Sequence, residues 1–142
     1  MTAKKIKKIL VPLDGSKNSI RGLDNAIYLA RQCSAIITGL YILPVPAVYA
    51  LHPIGFIKTE LNKEAKNFLN DAKKRCAKKG ILFNFKIIGG DPGYDIVRFS
   101  NNKKFDLVVI GARGRSHLKQ VFLGSVSNYV LHKSHIPVYL VK

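Results

Sequence analysis

The residues best suited to chemistry lie in Gly111-Ala112-Arg113-Gly114 and in the pair Gly124-Ser125. The first group follows the apolar run Phe105–Ile110, and the second opens a helical pattern. Glycine lets a backbone approach an anion closely and supplies φ > 0 where a turn needs it. A helix N-terminus adds N–H donors and the positive end of the helix dipole. Arg113 and Arg115 contribute formal positive charge. Together these parts form a phosphate-binding arrangement, and the chemistry they imply is nucleotide binding. Asp14 follows the run Ile6–Leu13 and shares a crevice with the Gly111 loop if those two strands are neighbours. It can accept a hydrogen bond from a ribose hydroxyl or a base amino group, and it equally fits a turn-and-cap role beside Gly15-Ser16.

Other chemistries lack their residues. No GxxxxGK[ST] or GxGxxG occurs, so neither a P-loop nor a dinucleotide fingerprint is present. Ser125 and Ser127 are not in a GxSxG elbow. His132 and His135 lie near a helix end without an accompanying carboxylate, and His52 and His117 are isolated, so no metal set is formed. Cys33 and Cys76 are far apart in helical patterns and read as free thiols of a reducing compartment.

These loops require a frame of alternating strands and helices. Ile6–Leu13 is a strand pattern, and Ser16 caps a helix whose apolar positions are Ile20, Leu23, Ile27 and Ala30. A second strand spans Ala35–Leu43. A long stripe follows through Ile57, Leu61, Ala65, Phe68, Ala72 and Cys76, with Gly80 as its closing C′ residue. The third strand is Ile81–Ile88, ended by Gly89-Gly90. Asp91 caps a short helix with Pro92 at its first position and Ile96, Val97 and Phe99 on its apolar side. Asp106–Ile110 reads as a strand buried on both faces. The last helix runs from Gly124-Ser125 to about Lys133, and Val138–Val141 is the fifth strand. Pro137 at its start lacks an N–H and favours an edge position, where a partner chain can pair. This alternation predicts βαβ units around a parallel sheet in a single α/β domain over residues 1–142. The segment Pro44–Phe56, without Asp, Glu, Lys or Arg, is the one long connection, and it fits a lid, a partner surface or a loop folded onto its own domain.

The 142 residues carry 24 Lys+Arg against 8 Asp+Glu, a formal charge of +16. That excess favours polyanions, nucleic acid and anionic membrane included, without choosing among them. Lys4, Lys5, Lys7 and Lys8 form one cluster, and Lys73, Lys74, Arg75, Lys78 and Lys79 form another at a helix end. No apolar run reaches the ~20 residues of a membrane span. The basic start has too short an apolar part for a signal peptide, so the expected location is cytoplasmic.

The motifs also carry a resemblance. Val11-Pro12-Leu13-Asp14-Gly15-Ser16 with Ser19, together with Gly111-x2-Gly114-x9-Gly124-Ser125, resembles the universal stress protein family of the ATP-binding type. Asp91-Pro92 and Ile136-Pro137-Val138 add to the likeness, which covers about Ile6 to Val141. It implies a doubly wound, Rossmann-like, five-stranded parallel sheet in the order 3-2-1-4-5, with helices on both faces. It implies adenine and ribose contacts from Pro12, Asp14 and Ile42, and a base or ribose contact from Ile110 and Gly111. It places phosphate contacts at Arg113, Gly114, Gly124, Ser125 and Val126. It implies ATP as ligand, Mg²⁺ bridging the phosphates, and a homodimer through the last strand. The chain departs from the family in its charge and in Gly22, where a small residue such as alanine is usual and glycine costs helix stability of at most ~1 kcal/mol.

Two functional classes follow. The first is a nucleotide-dependent sensor or switch in the stress response that hydrolyses ATP slowly at most, with AMP or a cyclic nucleotide as the alternative ligand. The second is a basic nucleic-acid-associating protein on the same fold.

Overall fold

Each of the first four strands hands over to a helix that returns along the sheet. The computed structural model describes residues 4–44, 55–114 and 123–142, without the side chains of 55–61. The elements are β1 (Lys8–Pro12), α1 (Lys17–Cys33), β2 (Ile36–Pro44), α2 (Gly55–Ala77), β3 (Phe83–Gly90), α3 (Pro92–Asn102), β4 (Leu107–Gly111), α4 (Ser125–Lys133) and β5 (Val138–Val141). All strand pairs are parallel, in the order β3-β2-β1-β4-β5. This is the predicted doubly wound α/β sheet, with β5 at one edge.

Burial explains the order. Ile9, Leu10 and Val11 of β1, and Val108 and Val109 of β4, are fully buried, as β-branched and leucine runs require in a sheet covered on both faces. One face packs against Leu23, Ala26 and Ala30 of α1 and Ala65, Leu69 and Cys76 of α2. The other packs against Ile96 of α3 and Val130 of α4. Burial pushes the Cys76 thiol up to about 12; the nearby Asp24 charge adds to this and Arg75 opposes it. Among the described residues no helix is long and apolar enough to cross a membrane.

Caps follow the sequence closely. The Ser16 hydroxyl accepts from the Ser19 amide at 3.1 Å, and Asp91 accepts from the Tyr94 amide at 3.0 Å ahead of Pro92. α2 closes as the sequence predicts: Gly80, at φ +72°, is its C′ residue, with the Gly80 amide donating to Ala77 O and the Ile81 amide to Cys76 O, both at 3.0 Å. Several strand boundaries differ from expectation. β3 lies two residues later than predicted and includes Gly89 and Gly90, since the nine-residue β2 offers Leu43 and Pro44 as partners. A Cβ on Gly90 would overlap the Asp95 carboxylate and displace it from the Asp91 amide and Arg98. β4 begins at Leu107, since Asp106 turns its carboxylate onto the Lys7 and Lys8 amides at 2.9 and 3.0 Å.

Candidate nucleotide site at the carboxyl ends of β1 and β4

β1 and β4 are neighbours, with Ile9 beside Leu107 and Leu10 beside Val108. The loops that follow them therefore open into one crevice at the carboxyl end of the sheet, where the winding direction changes. After β1 the chain turns through Gly15 at φ +83° into the Ser16 cap. Asp14 is half-buried, and its Oδ1 accepts from the Ser16 amide at 2.9 Å. Its Oδ2 points across the crevice: a Cβ on Gly114 would lie 2.7 Å from it. Asp14 thus serves as turn residue and crevice wall together.

The β4 loop and the start of α4 are fastened by one carbonyl. Ala112 O accepts from the Gly124 amide and from the Ser127 hydroxyl, both at 2.7 Å. Gly124 is the N-cap of α4 and provides no side-chain cap. The first turn of α4 therefore presents amides and the positive dipole end toward the glycine loop. A Cβ on Gly124 would stand 3.7 Å from the Gly114 amide nitrogen, so the two glycines face each other closely. Arg113 is exposed and has no ion-pair partner among the described residues.

Asn18 completes the frame. Its Nδ2 donates to Arg113 O at 3.1 Å and to Val141 O at 3.4 Å, tying α1 to the loop after β4 and to the end of β5. α1 also approaches β4 so closely that a Cβ on Gly111 would meet Asn18 Nδ2 at 2.6 Å and Asn18 O at 2.8 Å. Gly111 is thus set by helix-on-strand packing. Sequence reasoning missed Asn18 and the clasp made by Ser127. The only available signals were a polar residue two places after a cap and a serine three places after Gly124, and neither names a partner far along the chain.

The residues singled out by resemblance fall in two groups. Asp14, Gly114 and Gly124 come together at the crevice, with Arg113 and Ser125 next to them in the chain, while Gly111 is buried against α1. Pro12 is buried in β1, and Ile42 and Ile110 are 4% and 5% exposed, within the core under α3 and α4. Contacts from those two to a ligand would have to come from backbone. Val126 is half-buried against the same core. Arg115, His117, His52 and the connection 45–54 lie outside the described residues. A cleft of about 720 Å³ lies elsewhere, between α1 and α2. Volume is a poor guide here, since a phosphate is held by converging donors on a shallow surface.

The donor set fits a polyphosphate: uncapped helix amides, two glycines without side chains in the way, and an unpaired guanidinium. It fits a protein-held metal less well. No group of three His, Cys, Asp or Glu is found among the described residues, and Asp14 is already bonded to an amide. A Mg²⁺ ion there would be held by phosphates and its own waters.

Comparisons with known proteins identify the family and the fold. The model of the universal stress protein family matches residues 5–142. The universal stress protein MJ0531 of Methanocaldococcus jannaschii is 33% identical over 96% of this chain and 82% of its own length. In solved structures, MJ0577 of the same organism superposes with a TM-score of 0.89 at 28% identity, covering 98% of this chain and 97% of that one. A universal stress protein from Archaeoglobus fulgidus in complex with dAMP does so at 0.75 and 26% identity, covering 98% and 100%.

Proposed function

The chain belongs to the universal stress protein family, and from that premise we propose that it binds ATP in the crevice between the β1 and β4 loops and acts as a nucleotide-dependent switch in the stress response. The observation that carries this reading is the junction of Gly114 with the uncapped first turn of α4 at Gly124, fastened through Ala112 O. The amides of that turn receive a phosphate, and the exposed positive charge of Arg113 beside them favours the more highly charged ATP over AMP or a cyclic nucleotide. The dAMP complex of the Archaeoglobus fulgidus protein supports an adenine nucleotide in this fold. In this reading the first-turn amides of α4, from Ser125 and Val126, and the Arg113 guanidinium hold phosphates. Asp14 Oδ2 orients the ribose. Backbone at Pro12, Ile42, Ile110 and Gly111 borders the base. Mg²⁺, carried in with the nucleotide, neutralises phosphate charge.

Hydrolysis is slow in this reading, below about 1 s⁻¹, the low end of ordinary turnover. The carboxylate facing the glycine loop, Asp14, is engaged by the Ser16 amide, an arrangement suited to orienting a ligand rather than to taking a proton from water. A second copy of the chain pairs along β5. Support comes from its place at the sheet edge, with Tyr139 42% exposed.

Calorimetric titration with Mg-ATP, dAMP and cyclic AMP at about 0.15 M salt, where surface charge is partly screened, tests the ligand. Saturation near one ATP per chain, tighter than dAMP, is expected. No binding in protein freed of copurified nucleotide refutes the reading, and tighter binding of cyclic AMP replaces ATP with it. Light scattering reports the dimer.

A further inference from the structure

The opposite end of the sheet has a different chemistry. In parallel βαβ units each helix returns antiparallel to its strands. All four helix C-termini therefore emerge where the strands begin. Lys4, Lys5 and Lys7 are exposed just before β1. Lys78 and Lys79 are exposed beyond α2, and Lys103 and Lys104 beyond α3. The Lys8 ammonium bonds Lys103 O at 2.6 Å, which brings two of these groups together. The Asp106 carboxylate, which accepts from the Lys7 and Lys8 amides at this end, is paired with Lys4 at 2.9 Å.

Helix dipoles explain only part of this. Four C-termini present roughly two negative charges in total, fewer than the lysines gathered there. The rest are uncompensated and repel one another, a cost that a bound polyanion removes.

The charge also has a shape. The cleft of about 720 Å³ between α1 and α2 opens toward this end and is lined by five cations and two carboxylates. One carboxylate, Asp24, is held bidentately by Arg75 at 2.6 and 2.8 Å. The remaining cations, Arg31, Lys74, Lys78 and Lys79, have no ion-pair partner among the described residues. Tyr28 lines the same cleft and is 65% exposed. Unpaired cations beside an exposed aromatic ring match what a single nucleic-acid strand requires, with phosphates on the cations and a base on the ring. A membrane fits less well. A flat surface cannot enter a cleft, and Leu82 and Leu131 are the only exposed large aliphatic side chains among the described residues.

We propose that the α1–α2 cleft binds single-stranded nucleic acid through its phosphate backbone, without sequence preference, on the end of the sheet opposite the nucleotide crevice. The test is fluorescence anisotropy of a labelled 20-nucleotide oligo-dT with the full chain, across a salt series. Four phosphate contacts give a slope of about −3 in log K against log salt, so affinity falls about 50-fold between 0.05 and 0.2 M. The triple variant Arg31→Glu, Lys78→Glu, Lys79→Glu is expected to weaken binding at least about 30-fold. A control with the same net charge change, Arg21→Glu, Lys63→Glu, Lys86→Glu, should stay within about threefold of wild type. Tyr28→Ala should weaken oligo-dT but leave a duplex of the same length unaffected. Should the triple variant fail to fold by circular dichroism, Lys78→Gln with Lys79→Gln replaces it, with a loss of about tenfold expected. Equal losses in the cleft variant and the control overturn the proposal, since binding would then follow net charge alone. Binding to phosphatidylserine vesicles with none to oligo-dT overturns it in favour of a membrane. Mg-ATP affinity of the cleft variant should equal that of wild type, which separates this surface from the crevice.

Discussion

Two glycines that nearly touch, Gly22 on α1 and Gly111 at the end of β4, should respond to alanine in opposite directions. A Cβ on Gly111 would lie 2.6 Å from Asn18 Nδ2, 2.8 Å from Asn18 O and 3.1 Å from Asn18 C. Two of those atoms are backbone, so the overlap can be relieved only by moving α1 away from β4. Overpacking of this kind costs about 1–3 kcal/mol. The displaced Asn18 amide also loses its bonds to Arg113 O and Val141 O, at about 0.5–1.5 kcal/mol each. The expected destabilisation of Gly111→Ala is about 2–6 kcal/mol, or a fall in Tm of about 4–24 °C for a domain of this size. A Cβ on Gly22 meets Gly111 N at 3.4 Å and nothing nearer, an ordinary contact. Gly22→Ala therefore recovers the helix propensity that glycine forfeits, about 0.5–1 kcal/mol, and raises Tm by about 2–4 °C. Paired thermal and urea melts with unchanged m-values measure both. A Gly111→Ala protein melting within 2 °C of wild type would refute the packing argument. So would a Gly22→Ala protein destabilised by more than about 1 kcal/mol.

Further expectations concern charge at the two ends of the sheet and the buried thiol. Gly114→Asp places a carboxylate beside Asp14 Oδ2 and in the phosphate seat. At an effective dielectric of 20 that repulsion is about 4 kcal/mol at 4 Å, so calorimetry should show Mg-ATP binding more than about 100-fold weaker. Burial raises the Asp106 carboxyl, but Lys4 and the Lys7 and Lys8 amides outweigh it and hold the group below its usual range. A carboxyl lowered on folding contributes stability above its unfolded value and loses that contribution as pH falls through its folded value. Asp106→Asn should therefore melt lower than wild type at pH 7, and the gap should close as pH falls below about 4; an undiminished gap at pH 2.5 would contradict it. With the Cys76 thiol fully buried and pushed up to about 12, native protein at pH 8 should react with a thiol reagent at Cys33 alone, and at both cysteines after denaturation.

Much of the frame was legible because its signals are local. Ile9-Leu10-Val11 and Val108-Val109-Ile110 are β-rich runs. Ser16 and Asp91-Pro92 are helix starts read within four residues. The α1 stripe through Leu23, Ile27 and Ala30 holds in the fold, while Ile20 is only half-buried. Ends of elements were less legible, since pairing with a neighbour decides them. Gly89 and Gly90 read as a strand terminator, yet β2 continues past them and gathers them into β3. Asp106 reads as strand and instead turns to two amides nearly a hundred residues earlier in the chain.

By itself the sequence determined the alternation of elements, the glycine spacing and the surplus of positive charge, because each is a property of neighbouring residues or of composition. Tertiary structure decided which loops share a crevice. Asp14 faces Gly114, and Asn18 grips Arg113 and Val141, only because β1 and β4 lie side by side. It also decided where the charge goes. Lysines scattered from Lys4 to Lys104 meet at one end because every crossover helix returns antiparallel to the sheet, a long-range consequence of handedness that no local window contains.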